Sequence, residues 1–181
     1  MTLTLEQLSG FNNDALEKVL KAGTPPTIAD LTGYEFRGWN QNSGTDIIGT
    51  RKFIKGFYGA KPDGTGWGYN MPVEQTGLNQ PWKPKQEQGK DIRYAFFKVL
   101  PGATMKDSVY RAMLVVDYRQ WPDYFFLSPI KYTVDYLAFV EAGNTDLILG
   151  KSYSQLLGLK LFLGYFILER LRQSGYEGPS K

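Results

Sequence analysis

The stretch LTGYEFRGWNQNSGTDIIGTRKFIKGFYGA, Leu31 to Ala60, decides the fold. Its first part, YEFRGW, alternates. Tyr34, Phe36 and Gly38 share one face, and Glu35, Arg37 and Trp39 share the other, which is the period of a β-strand. QNSGTDIIGT reads as a loop, or a helical lid over Gln41 to Gly49, with Thr45 as a cap. RKFIKGFYG, residues 51–59, reads as a second strand. AKPDGTG then turns: Pro62 presets φ, and Asp63-Gly64 supplies positive φ. WGYNMPV, residues 67–73, returns antiparallel. Aromatic and basic side chains are mixed on these strands, so the stretch suits a packed wall or a pocket.

Upstream, Asn12 and Asn13 can cap a helix beginning near Asp14, with Lys18 and Lys21 toward its end and Gly23 after it. TIADLTG, residues 27–33, reads as a turn or a single helical turn. Downstream, residues 74–91 form a long polar loop, of a length often functional in compact domains. Strand patterns follow at residues 92–100, 109–118, 130–141 and 147–156. The last segment, residues 161–174, fits a strand through about Arg170, although Glu169 and the two arginines also suit a helix. About eight strands with short turns predict an all-β fold: an antiparallel up-and-down β-barrel with a short N-terminal helix. One domain is expected over residues 1–181: helix and lead-in 1–30, barrel 31–171, tail 172–181.

At 181 residues the chain can bury its own core. It contains neither His nor Cys. That excludes disulfides, thiol nucleophiles, Ser-His-Asp catalysis and imidazole or thiolate metal sites. No catalytic residue, metal or cofactor is assigned. The charge balance, 21 Lys and Arg against 18 Asp and Glu, is too even to point to nucleic acid. The N-terminus lacks a basic region followed by an apolar run, and LLGLKLFLGYFIL (Leu156 to Leu168) is shorter than the roughly 20 residues of a membrane span. A cytoplasmic location and no membrane span are expected.

A helix, then DLTGYEFRGWN, then an up-and-down barrel resembles the lipocalin-like (calycin) superfamily. More narrowly, the chain resembles uncharacterised bacterial proteins of the GxWxG type, through Gly33, Gly38, PIKYTVDYLAFV (Pro129 to Val140), LILGK (Leu147 to Lys151) and FILER (Phe166 to Arg170). The resemblance implies a lipocalin-like barrel with a small hydrophobic molecule as the commonest cargo. It also implies a basic residue near the last strand packing on the first. Arg170 or Arg172 is therefore expected over Trp39 or Phe36, near the closed end.

The ligand-binding candidates are Arg37, Trp39, Lys55, Tyr58, Tyr69, Arg111, Tyr118, Tyr136 and Tyr153. A buried Arg or Lys with Tyr can grip an acceptor such as a carboxylate through charge-assisted hydrogen bonds. If Trp39 lies on the floor of the barrel, Arg37 points inward with it. Asp117 and Asp135 lie mid-strand, and Asp135, opposite in parity to Tyr132, Val134 and Tyr136, is read as facing outward. Three functions stay open. One is a barrel binding a small hydrophobic molecule, with or without a carboxylate or other acceptor. Another is a His-free acid/base enzyme, an isomerase or cyclase, using Tyr and Asp in the cavity. The third is a filled barrel acting through its surface.

Overall fold

Three capped helices precede the strands in a computed structural model that describes residues 2–41, 50–122, 128–156 and 158–179. The predicted loop or lid at Gln41 to Gly49 lies, apart from Gln41, outside these residues. Helix α1, Leu5–Ser9, is set by a capping box: Thr4 accepts from the Gln7 amide, and the Gln7 side chain accepts from the Thr4 amide. It is absent from the sequence reading. Helix α2, Asn13–Ala22, is capped by Asn12 as expected, and its Leu16 and Leu20 are buried. Helix α3, Ile28–Leu31, is a single turn closed by a Thr27–Asp30 capping box.

The barrel strands are β1 (Tyr34–Asn40), β2 (Lys52–Tyr58), β3 (Gly66–Pro72), β6 (Tyr94–Pro101), β7 (Leu114–Asp117), β8 (Thr133–Phe139), β9 (Leu147–Leu156) and β10 (Leu159–Gln173). Two short strands, β4 (Gln86–Glu87) and β5 (Lys90–Asp91), make a hairpin of their own in the long polar loop. The eight others close antiparallel in the circular order β1-β10-β9-β8-β7-β6-β3-β2. The predicted up-and-down barrel is therefore observed. Strand β7 begins at Leu114, not at Val109, because the chain before it turns: the Met113 amide donates to the Tyr110 carbonyl. Strand β10 is strand throughout, because β9 pairs with it over residues 159–169 and β1 over residues 166–173.

Inside the barrel, Phe36, Phe53, Phe57, Phe97, Phe166, Leu137, Phe139 and Leu168 pack with Ile28 and Leu31 of α3, which closes one end. Three of these rings lie over glycines directly opposite on the neighbouring strand: Phe53 on Gly38, Phe97 on Gly68 and Phe166 on Gly150. A Cβ at Gly68 or Gly150 would stand 2.1 Å from its ring. Each glycine thus makes room for an aromatic that fills the barrel.

The outer face is covered as well. Helices α1 and α2 pack on Leu147, Leu149, Tyr165 and Ile167. Trp82 and Leu78 of the long loop, with Tyr176 of the tail, cover Ile54, Tyr58 and Tyr69. All seven residues of β2 are consequently buried. Beyond the rim opposite α3, the β9–β10 hairpin runs past the start of β8 and carries exposed Leu156, Leu159, Leu161 and Phe162. Among the described residues, no helix is long and apolar enough to cross a membrane.

Candidate functional site

Alternation along β2 turns Phe53, Lys55 and Phe57 into the barrel. Lys55 is 1% exposed. In the circular order, β8 lies four strands from β2 in either direction, so it is diametrically opposite. Asp135 of β8 points inward with Leu137 and Phe139, and it is 3% exposed. The Lys55 ammonium spans the interior. It donates to the Tyr118 oxygen at 2.6 Å and reaches Asp135 Oδ2 at 3.4 Å.

Neighbouring strands complete the cluster. Asn70, directly opposite Lys55 on β3, donates to the Tyr118 oxygen and to the Ala95 carbonyl, each at 3.0 Å. Ala95 holds a left-handed φ of 48°, a strained conformation for a residue with a Cβ. Ser152, opposite Asp135 on β9, donates to Asp135 Oδ1 at 2.7 Å. Four rings surround the ammonium: Phe97 at 4.5 Å, Tyr118 at 5.1 Å, Phe166 at 5.4 Å and Phe53 at 5.8 Å from their centroids. Burial pushes the Lys55 amine down and the Asp135 carboxyl up, while the attraction between them opposes both shifts. Such a pair, desolvated and polar inside an aromatic wall, marks a candidate site.

Of the nine candidate residues, the structure brings Lys55 and Tyr118 together inside the barrel. Arg37 and Trp39 are on the outer face, because Phe36 and Gly38 take the inner one. Arg37 pairs with Glu169 and lies over Trp82, and Trp39 joins the outer clusters. Tyr58 and Tyr69 are also outside, under the tail. The Tyr69 hydroxyl donates to Glu35 at 2.8 Å, and burial raises it to about 12. Tyr136 and Tyr153 lie on the outer face of β8 and β9 against Met105 and Val115. Arg111 is exposed in the turn before β7 and donates to the Ala103 carbonyl at 3.0 Å.

Asp135 is the main correction: it faces inward, and the apolar Val134 and Tyr136 face outward. The outer face there is buried under the segment before β7, so polarity did not mark the inside. Asp117 points outward and is held by Arg119 at 2.8 Å, so the two mid-strand aspartates do not meet. The signal for Asp135 lies in TVDYLAF itself, where Asp135 alternates with Leu137 and Phe139. Asn70 and Ser152 carried no signal.

Arg170 lies 5.3 Å from the Phe36 centroid and 3.8 Å from that of Tyr34, at the α3 end, as expected. Two shallow clefts open on the outer surface. One is between Asp30, Tyr34, Asp146 and Arg170, and the other between Glu35, Asp91, Arg93, Arg172 and Tyr176. Among the described residues, no group of three or more acidic side chains could hold a metal ion. No family model, curated protein or solved structure matches the chain.

Proposed function

We propose that the barrel binds a small, largely apolar molecule whose polar head docks at Lys55, Tyr118 and Asn70. The observation that carries this reading is the cross-barrel Lys55–Asp135 pair. Replacing a buried ion pair by well-packed apolar residues is often neutral or stabilising, so such a pair is weak evidence for a stabilising role. A polar cluster within an aromatic wall matches the composition of small-molecule sites. The apolar body would lie against the Phe53, Phe97 and Phe166 rings, and the head would join the hydrogen bonds at Lys55.

The test is native mass spectrometry of the purified chain, then denaturing extraction, with thermal shifts against a panel of small apolar molecules. A co-purifying molecule, or a shift lost in Lys55→Met/Asp135→Leu, supports the reading. A clean mass with no shift favours a second reading, a filled barrel that works through its surface. The three rings seated on Gly38, Gly68 and Gly150 speak for that alternative.

A further inference from the structure

Resting on that binding reading, we infer that the head group is uncharged: a carbonyl of a ketone, ester, amide or aldehyde, and not a carboxylate. Charge balance at the site sets this preference. Lys55 already has its counterion in Asp135. The pair sums to zero whether the shared proton sits on nitrogen or on oxygen. Asn70, Ser152 and Tyr118 add hydrogen bonds to it and no charge. Among the described residues, no second cation contacts the cluster.

A carboxylate bound here would leave one net negative charge in a low-dielectric interior, beside the carboxylate of Asp135. An ammonium would leave one net positive charge beside Lys55. Either is costly when desolvated without a partner. A carbonyl oxygen avoids both costs and still takes a charge-assisted hydrogen bond. The Lys55 ammonium has three donors, and Tyr118 and Asp135 engage two of them. Among the described residues, the third meets no oxygen, and it is offered to an acceptor of the bound molecule.

The experiment compares three molecules on one skeleton by calorimetry at neutral pH: 4-phenylbutan-2-one, 3-phenylpropanamide and 3-phenylpropanoate. The expected result is that the ketone and amide bind the wild type about tenfold tighter than the carboxylate, or more, the cost of one unpaired buried charge. In Asp135→Asn the order reverses, because Lys55 is then an uncompensated cation. If that variant does not fold, the wild-type order alone decides. The double variant Lys55→Met/Asp135→Leu removes the donor and leaves the site neutral, so it should weaken the ketone and the amide while still rejecting the carboxylate.

Carboxylate binding tighter than ketone in the wild type, strengthening as pH falls, would overturn the inference and leave the binding reading standing. Asp135 would then be taking up a proton to free Lys55 for the anion. No binding by any of the three, together with no co-purifying molecule, overturns both. If a molecule does co-purify, its own head group decides: a carbonyl supports the inference and a carboxylate ends it.

Discussion

Lys52 and Lys55 lie three residues apart on β2 and face opposite sides of it. Both are buried, and their surroundings share almost nothing. Lys52 points outward into the long loop. Its ammonium donates to Thr76 Oγ1 and to the carbonyls of Gly77, Gln80 and Pro81 at 2.8–3.2 Å, with the Trp82 ring 3.8 Å away. These are neutral oxygens of a local chain segment, and they read as a staple that fixes the loop to the barrel. Lys55 points inward to a carboxylate on the opposite wall. That arrangement also holds Tyr118 of the turn after β7, and it places two desolvated ionisable groups among four aromatic rings. Burial alone does not distinguish a structural lysine from a functional one. The partners set them apart: backbone carbonyls make Lys52 a clamp on its loop, and a buried carboxylate makes Lys55 half of an ion pair across the barrel.

The largest effect should come from breaking the inner pair. Lys55→Met or Asp135→Leu alone should cost about 3–5 kcal/mol, because each strands an uncompensated buried charge. The double variant should recover most of that loss. A double-mutant cycle from urea unfolding measures the coupling. Additive losses would show that the pair does not act as a unit. Next in size is Gly68→Ala, whose Cβ would press on the Phe97 ring beside Lys55. Overpacking of this kind should cost about 1–3 kcal/mol. A neutral result in urea unfolding would mean that the interior has slack, which would itself favour an open chamber.

The contrast between the two lysines was only half legible in the sequence. Strand order, hairpin turns and the cap of α2 were readable because each is local: alternation, Asp63-Gly64, Asn12. The side of each strand that faces inward was not. In a barrel with one wet face, polarity would have answered it. Here α1, α2, the long loop and the tail cover the outer face, so KFIKGFY and TVDYLAF are buried on both sides. Parity groups Lys55 with Phe53 and Phe57, but it does not say which group is inside. The same ambiguity sent Arg37 and Trp39 to the interior and Asp135 to the surface in the sequence reading. Asn70 and Ser152 were invisible for another reason. Their roles depend on register, on standing opposite Lys55 and Asp135 across a ladder, and register is a tertiary quantity.

The outer lysine should be the weaker of the two. Lys52→Met removes donors from one hydroxyl and three carbonyls, and water can replace many of them because much of the loop around them is exposed. We expect a loss of about 1–2 kcal/mol. The sharper readout is local. Amide exchange and proteolysis should rise across residues 74–85, while protection of β8 and β9 stays unchanged. Loosening of the whole barrel would mean that Lys52, like Lys55, supports the core.

A third strand lysine, Lys151, completes the gradation and gives the smallest effect. It lies on the outer face under α2, where its ammonium donates to Glu17 at 2.8 Å. Tyr110 and Tyr165 donate to the same carboxylate. Burial pushes Glu17 up, but these hydrogen bonds outweigh it and hold the carboxyl down at about 2, against an ordinary 4.5. A carboxylate with a lowered pKa in the folded state stabilises above its unfolded value, and that contribution fades as pH falls from about 4.5 to about 2. Solvent at the edge of the site screens part of that linkage energy, and glutamine keeps some of the hydrogen bonds, so Glu17→Gln should cost about 1 kcal/mol at neutral pH. The difference between wild type and variant should shrink through that window and vanish at its lower end, as read by urea unfolding across pH. A difference that persists at the lower end would mean that Glu17 holds α2 by packing and neutral hydrogen bonds. The lysine on the outer face would then owe its place to geometry, and charge pairing would decide a lysine's role only inside the barrel.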